Sequence, residues 1–163
     1  MSHGLIIISG GQTGVDRGAL DAALELGIAC KGWCPEGRTA EDGQIPERYP
    51  LLELTGAGYY ERTRKNVQDS DGTLILHRGP LSGGTQLTLD SSRDLGKPLL
   101  VLDAAGVSAE EGAARAGAFI ADRGIHRLNV AGPRESHWPG ARAYAHALIR
   151  ALIRATQWPE PAI

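Results

Sequence analysis

The chain has little of what holds small secreted or metal-dependent domains together. Its 163 residues include two cysteines, Cys30 and Cys34. Their spacing is not that of a redox C-x-x-C pair, and no further zinc ligands lie nearby, so reduced, partly buried thiols are expected. The five histidines, His3, His77, His126, His137 and His146, fall at no metal-ligand spacing, and no structural metal is expected. No apolar run approaches the roughly 20 residues that a membrane helix needs. Met1-Ser2-His3-Gly4 carries neither the charged nor the apolar region of a secretory signal, which sets the expectation of a cytoplasmic protein. The formal net charge is −2, so bulk electrostatics offers nucleic acid no general attraction, and neither nucleic acid nor membrane is expected as a partner. Any bound anion must be held by local geometry.

Catalytic signatures are missing as well. The absence of G-x-x-x-x-G-K-[ST] argues against a P-loop NTPase. The absence of G-x-G-x-x-G, together with the lack of an acidic residue placed for a ribose, argues against an NAD dehydrogenase. The nucleophile elbow G-x-S-x-G does not occur.

What is present is an alternation of buried strands and amphipathic helices. With 42% apolar and 22% charged residues, residues 1–163 read as a single domain with a three-layer core. Strand-like runs fall at residues 5–9, 29–33, 51–54, 73–76, 99–103 and 127–131. Helical patterns fall at 15–26, 59–70, 85–95, 108–123 and 141–156. Gly27 closes the first helix, and Ser108 with Glu111 forms a capping box for the fourth. The expected fold is α/β and Rossmann-like, a mainly parallel sheet of about six strands with helices on both faces. The stretch from Pro35 to Pro50 reads as irregular, either a lid over a ligand or a solvated loop.

The strand-to-helix joints carry the unusual residues. Leu5-Ile6-Ile7-Ile8 runs into Ser9-Gly10-Gly11-Gln12-Thr13-Gly14-Val15-Asp16-Arg17, a loop in which bare glycines let backbone N–H groups approach an anion at a helix start. A second such loop is Leu81-Ser82-Gly83-Gly84-Thr85, although Ser82 or Thr85 can equally serve as a helix N-cap. A third, Gly132-Pro133-Arg134, offers a cation for a phosphate or for a neighbouring carboxylate. All three lie beyond the carboxyl ends of strands, the edge on which open α/β sheets bind ligands. The ligand-binding candidates are Gly10, Gly11, Gln12, Thr13, Gly14, Arg64, Ser82, Gly83, Gly84, Thr85, Gly132 and Arg134. Should the protein be an enzyme, Asp16, Asp42 and Asp90 are the candidate carboxylates and Arg64 a phosphate clamp. The side chains of Trp33, Tyr59, Tyr60 and Trp138 either stack on a ligand ring or pack in the core.

Together these residues resemble the family of putative molybdenum carriers, relatives of the molybdenum-cofactor carrier proteins in the SLOG superfamily. The resemblance rests on Ser9 to Asp16, on Gly32-Trp33-Cys34-Pro35 with Gly37-Arg38 and Ala40-Glu41-Asp42-Gly43, on Arg62-Thr63-Arg64-Lys65-Asn66, on Ser82 to Thr85 and on Asn129 to Ser136. It implies a cytoplasmic homo-oligomer, a dimer or tetramer, that binds a small phosphorylated ligand, a nucleotide or the molybdenum cofactor, at the glycine loops. The LOG-type phosphoribohydrolases of the same superfamily are similar at Arg64-Lys65 and at the second glycine loop. They carry a catalytic Glu shortly after that loop, where this chain has Gln86, Leu87 and Thr88 before Asp90. Cleavage of an N-glycosidic or phosphate bond is therefore the alternative, ranked below binding.

Overall fold

The computed structural model describes residues 4–156. Strand β1 (Ile6–Ile8) leads to α1 (Val15–Glu25), which stops at Gly27 in the left-handed region, φ 70°. Strand β2 (Cys30–Lys31) is cut short at Gly32, and the chain continues as β3 (Trp33–Pro35). A 3-10 turn (Glu36–Arg38) and a small hairpin of β4 (Thr39–Ala40) and β5 (Gly43–Gln44) follow. Then come β6 (Leu52–Leu54), α2 (Tyr59–Asp69), β7 (Gly72–His77), α3 (Gly83–Asp94) and β8 (Leu99–Asp103). Helix α4 (Ala109–Arg123), strand β9 (Arg127–Ala131) and helix α5 (Ala141–Thr156) complete the order. Ser108 caps α4 as expected, its hydroxyl accepting from the Glu111 N–H at 3.1 Å.

Five parallel strands form the central sheet in the order β2-β1-β9-β7-β8. The remaining strand-like run of the six expected, 51–54, forms β6 and pairs with β3 in a separate parallel ribbon, Trp33 opposite Leu52. Gly32 is the reason: it turns the chain out of the sheet after two paired residues and carries β3 and its partner away. Counted from β9 through β1 and β2 to β7 and β8, the central order becomes 3-2-1-4-5, that of a doubly wound fold. The strand that such a fold uses first is here used last.

Helices α1, α4 and α5 pack on one another over one face, and α2 packs on α3 over the other. Leu74, Leu76, Leu128, Val130 and Ile7 join the α1/α4/α5 core. The intervening residues Thr73, Ile75 and Asn129 point to the opposite face by the two-residue period of a strand. Chain reversal separates the exits of β9, toward α5, and β7, toward α3. A crevice opens between these two strands at their carboxyl ends.

The stretch from Pro35 to Pro50 is not a bare loop. Ile45, Tyr49 and Leu51 pack with Leu20 and Cys34 as a second small core. Arg38 gathers the chain around itself, its guanidinium donating to the carbonyls of Ile45, Pro46, Tyr49 and Leu51 at 2.8–3.1 Å. The hairpin tip is fastened by charge. Asp42 takes two hydrogen bonds from the buried Arg17, one of them at 2.8 Å, and Glu41 accepts from the hydroxyls of Thr13 and Ser136. Both carboxyls are held below their usual range, Asp42 by the Arg17 hydrogen bonds and Glu41 by those from Ser136 and Thr13.

For acids with depressed folded-state pKa values, the stabilisation is present above their unfolded values of about 4 and is lost as pH falls through the folded ones. The urea midpoint is thus expected to drop on acidification below about pH 4. The double variant Glu41→Gln/Asp42→Asn should be less stable at neutral pH and show a flatter acid limb. Parallel limbs in the two proteins would contradict the fastening.

Candidate functional site

A cavity of about 240 Å³ opens at the crevice between β9 and β7. One wall is the β1–α1 loop with Gly10, Gln12 and Asp16; the opposite wall is the start of α3, Ser82 to Thr85, with Thr88 behind it. The floor is the end of β9 with its exit loop, Asn129 to Arg134, and the side of α2 closes it with Tyr59, Arg62, Thr63 and Asn66. His137 stands at the rim. The three glycine-bearing joints legible in the sequence thus converge on one cavity.

The expected site residues divide by position. Gly10, Gln12, Asp16, Ser82, Gly83, Gly84, Thr85, Gly132 and Arg134 line the cavity. Gly11, Thr13, Gly14, Arg64, Asp42 and Asp90 are not among its lining residues. Gly11 and Gly14 serve packing: a Cβ on Gly11 would lie 2.4 Å from Leu51 Cδ1, and one on Gly14 2.4 Å from the Pro133 carbonyl oxygen. The Thr13 hydroxyl is occupied by Glu41 and by the Glu135 N–H. Asp42 belongs to the hairpin fastening. Asp90 lies exposed along α3 and accepts from the Gln86 amide at 3.0 Å.

The displacement of Arg64 follows from helical phase. Residues two apart differ by about 200° around a helix, so Arg62 and Arg64 cannot both face the cavity. Arg62 is turned inward with Tyr59, Thr63 and Asn66, whereas Arg64 pairs with the exposed Asp94 at 3.7 Å. Val67, the one aliphatic residue of α2, does not reveal this: it lies about 60° around the helix from Arg64 and about 140° from Arg62, so the inward turn of Arg62 emerges only from the packing of α2 in the fold. Thr63, Asn66, Thr88, Asn129 and His137 also line the cavity with polar side chains, and none of them is among the expected site residues. Asn66 braces the ribbon as well, accepting from the Trp33 N–H at 2.8 Å and donating to its carbonyl at 3.0 Å.

Arg62 is 9% exposed and crosses directly over Gly10, where a Cβ would fall 1.6 Å from its Nη1. Its ring-stacking neighbour is Tyr59, with the guanidinium 5.4 Å from the ring centroid. Its counter-ion is Asp16, whose Oδ2 is 3.7 Å from Nη1 and accepts from the Gln12 N–H at 3.2 Å. Burial pushes the Asp16 carboxyl up, and the Arg62 charge opposes that push. Arg62 Nε has no partner. Gln12 presents a second orphan: its Oε1 accepts from the Thr13 and Glu41 N–H groups, and its buried Nε2 donates to nothing. Buried donors without acceptors each cost about 1–3 kcal/mol, a cost that a hydrogen-bond acceptor brought against this wall would relieve. Across the cavity, Gly83 and Gly84 begin α3, where the N–H groups of a first turn lack helical partners and the helix dipole favours negative charge. A Cβ on either glycine would meet nothing within 4 Å.

Among the described residues no cluster of His, Cys, Asp and Glu could hold a metal ion, and no helix is long and apolar enough to cross a membrane.

The doubly wound sheet with a donor-lined cleft at its switch point defines a Rossmann-like domain with a small-ligand site. The chain belongs to the circularly permutated YpsA SLOG family, whose model matches residues 7–153; the strand order displays that permutation. It is also 42% identical to a protein of solved structure from Syntrophus aciditrophicus SB, described as a putative molybdenum carrier protein. The two folds agree with a TM-score of 0.89 over 92% of this chain and 95% of that one. Both findings bear out the SLOG and molybdenum-carrier resemblance carried by the sequence motifs. A comparison with curated proteins matched none.

Proposed function

We propose that this single-domain protein is a cytoplasmic, homo-oligomeric carrier of a small phosphorylated ligand, a nucleotide or a molybdopterin-type molecule. The observation that carries this reading is the pairing of the open Gly83-Gly84 helix start with the buried, under-partnered Arg62 on the adjoining wall. Backbone N–H groups at the helix start and a guanidinium edge suit phosphate oxygens, and Ser82 and Thr85 add hydroxyls beside them. The described relative's name supports a cargo of the molybdenum-cofactor type, whose phosphate would occupy the same cradle.

Hydrolysis of an N-glycosidic or phosphate bond is the competing reading, and the cavity gives it one carboxylate. Asp16 is the sole Asp or Glu among the described residues lining the cavity, and it is engaged by Arg62 and by the Gln12 N–H.

Thermal melts with nucleoside 5′-monophosphates and phosphorylated pterins test the proposal. A ligand at 100 times its Kd should stabilise the protein by about 2.7 kcal/mol. Gly84→Asp should abolish that gain by setting a carboxylate in the cradle, while the fold survives because the position is open and an acid in the first turn favours the helix. Undiminished binding in Gly84→Asp would remove the cradle. Release of base or phosphate at ordinary enzyme rates would replace the carrier by a hydrolase.

A further inference from the structure

The phosphate cradle leaves one feature of the cavity unused, the Gln12 side-chain amide. Gln12 is 6% exposed and lines the wall opposite α3. Its orientation is locked: two backbone N–H groups, from Thr13 at 3.0 Å and Glu41 at 2.9 Å, both donate to Oε1. A flipped amide would set NH2 hydrogens against both, so the orphaned atom is a donor and stays one. The lock is itself anchored, because Glu41 is tied to Thr13 and Ser136 through its carboxylate.

This donor and the helix start of α3 do not serve the same phosphate. Gln12 follows β1 and Gly83 follows β7, and β9 runs between them in the sheet. Two strand spacings separate those loops at their roots by roughly 10 Å, about twice the width of a phosphate group. The charge on the Gln12 side argues the same way. Asp16 lies against the Gln12 backbone N–H and against Arg62, so a second anion there would face a carboxylate. An uncharged acceptor would not.

Resting on the proposed phosphorylated ligand, we propose that Gln12 is the specificity-determining residue that reads a ring carbonyl on the ligand body. The ligand class is thereby narrowed to phosphorylated heterocycles bearing a lactam oxygen, as in 6-oxopurines and 4-oxopterins. Their 6-amino and 4-amino counterparts would turn an N–H donor toward the Gln12 N–H and leave both unpaired.

Matched pairs test this: inosine against adenosine 5′-monophosphate, and a 4-oxopterin against a 4-aminopterin phosphate, each by calorimetry with the full chain. Wild-type protein should prefer the oxo member of a pair by about tenfold or more. Gln12→Glu keeps an oxygen for the Thr13 and Glu41 N–H groups but turns a second oxygen to the ligand, and should reverse the preference. A merely structural role for Gln12 would weaken both members equally. Equal affinity for both members in wild-type protein, or a preference unmoved by Gln12→Glu, overturns the assignment while leaving the phosphate cradle standing. Failure of every phosphorylated probe to bind removes the cradle reading, and this one with it.

Discussion

Gly32→Ala is expected to destabilise the fold by more than about 3 kcal/mol. Gly32 has φ 157° and passes the end of β1 so closely that a Cβ would lie 1.8 Å from the Ser9 carbonyl oxygen. That is the tightest approach of any added methyl to backbone in the described chain; Gly132, against the Leu76 carbonyl, would give 2.2 Å. A side-chain end can swing aside, but Ser9 is fixed. Its N–H donates to the Lys31 carbonyl, and its hydroxyl donates to the Val130 carbonyl at 2.7 Å. Relief would have to come from separating β1 and β2 or from moving Gly10, and with it the surface on which Arg62 rests. Gly79→Ala supplies the reference, since Gly79 has φ 79° with nothing within 4 Å of an added Cβ. It should lose only the left-handed backbone penalty of about 1–2 kcal/mol. Urea midpoints of the two variants measure the difference. If Gly32→Ala proves no worse than Gly79→Ala, the close approach is not what requires glycine there.

The same residue shows where sequence reasoning succeeded and where it stopped. The runs of Ile6 to Ile8, Leu99 to Asp103 and Arg127 to Ala131 announce buried parallel strands by composition, and the helix ends at Gly27 and Ser108 follow from local chemistry. Those are properties of short windows. The turn at Gly32 depends on Ser9, across the sheet, and nothing within residues 29–33 shows it, so one expected strand became two and β6 left the central sheet. Likewise, the packing of Pro35 to Pro50 depends on Arg38 finding four carbonyls, a long-range arrangement without periodic signature.

The cavity was legible in outline because glycine joints at strand ends point to one sheet edge whatever the strand order. Its chemistry was less so. Gly11 and Gly14 are glycines for close packing rather than for ligand approach, and a motif does not distinguish the two uses. The dipeptide Arg64-Lys65, by its resemblance to enzymes with an Arg-Lys pair, favours Arg64 over Arg62. The packing of α2 decides for Arg62, which lines the cavity while Arg64 pairs with Asp94, and the one aliphatic residue of the helix, Val67, gives no such phase in the sequence.

Arg62→Met should do harm in two separable ways. Asp16 is 5% exposed, and removal of its buried cationic partner should cost about 3 kcal/mol or more. The pH dependence has a definite sign. Burial already raises the Asp16 pKa above its unfolded value, so its contribution is most favourable below that value and is lost as pH rises through the folded one. Without Arg62 the folded value climbs further, and the deficit of the variant should widen from acid to neutral pH. Arg62→Met/Asp16→Asn, which leaves no buried charge, should recover most of the stability. It should not recover the ligand, because the guanidinium edge beside the cradle is gone. Arg64→Met should change stability by no more than about 0.5 kcal/mol, because its pair with Asp94 is solvent-exposed. Gly10→Ala separates placement from charge: its methyl must drive the guanidinium off its seat, yet the Arg62 charge remains. If phosphorylated ligands bind Gly10→Ala as they bind wild-type protein while Arg62→Met/Asp16→Asn binds none, charge alone suffices. If both lose the ligand and Arg64→Met does not, the cavity recognises its anion through a guanidinium held in one position, with Gly10 as its seat and Asp16 as its counterweight.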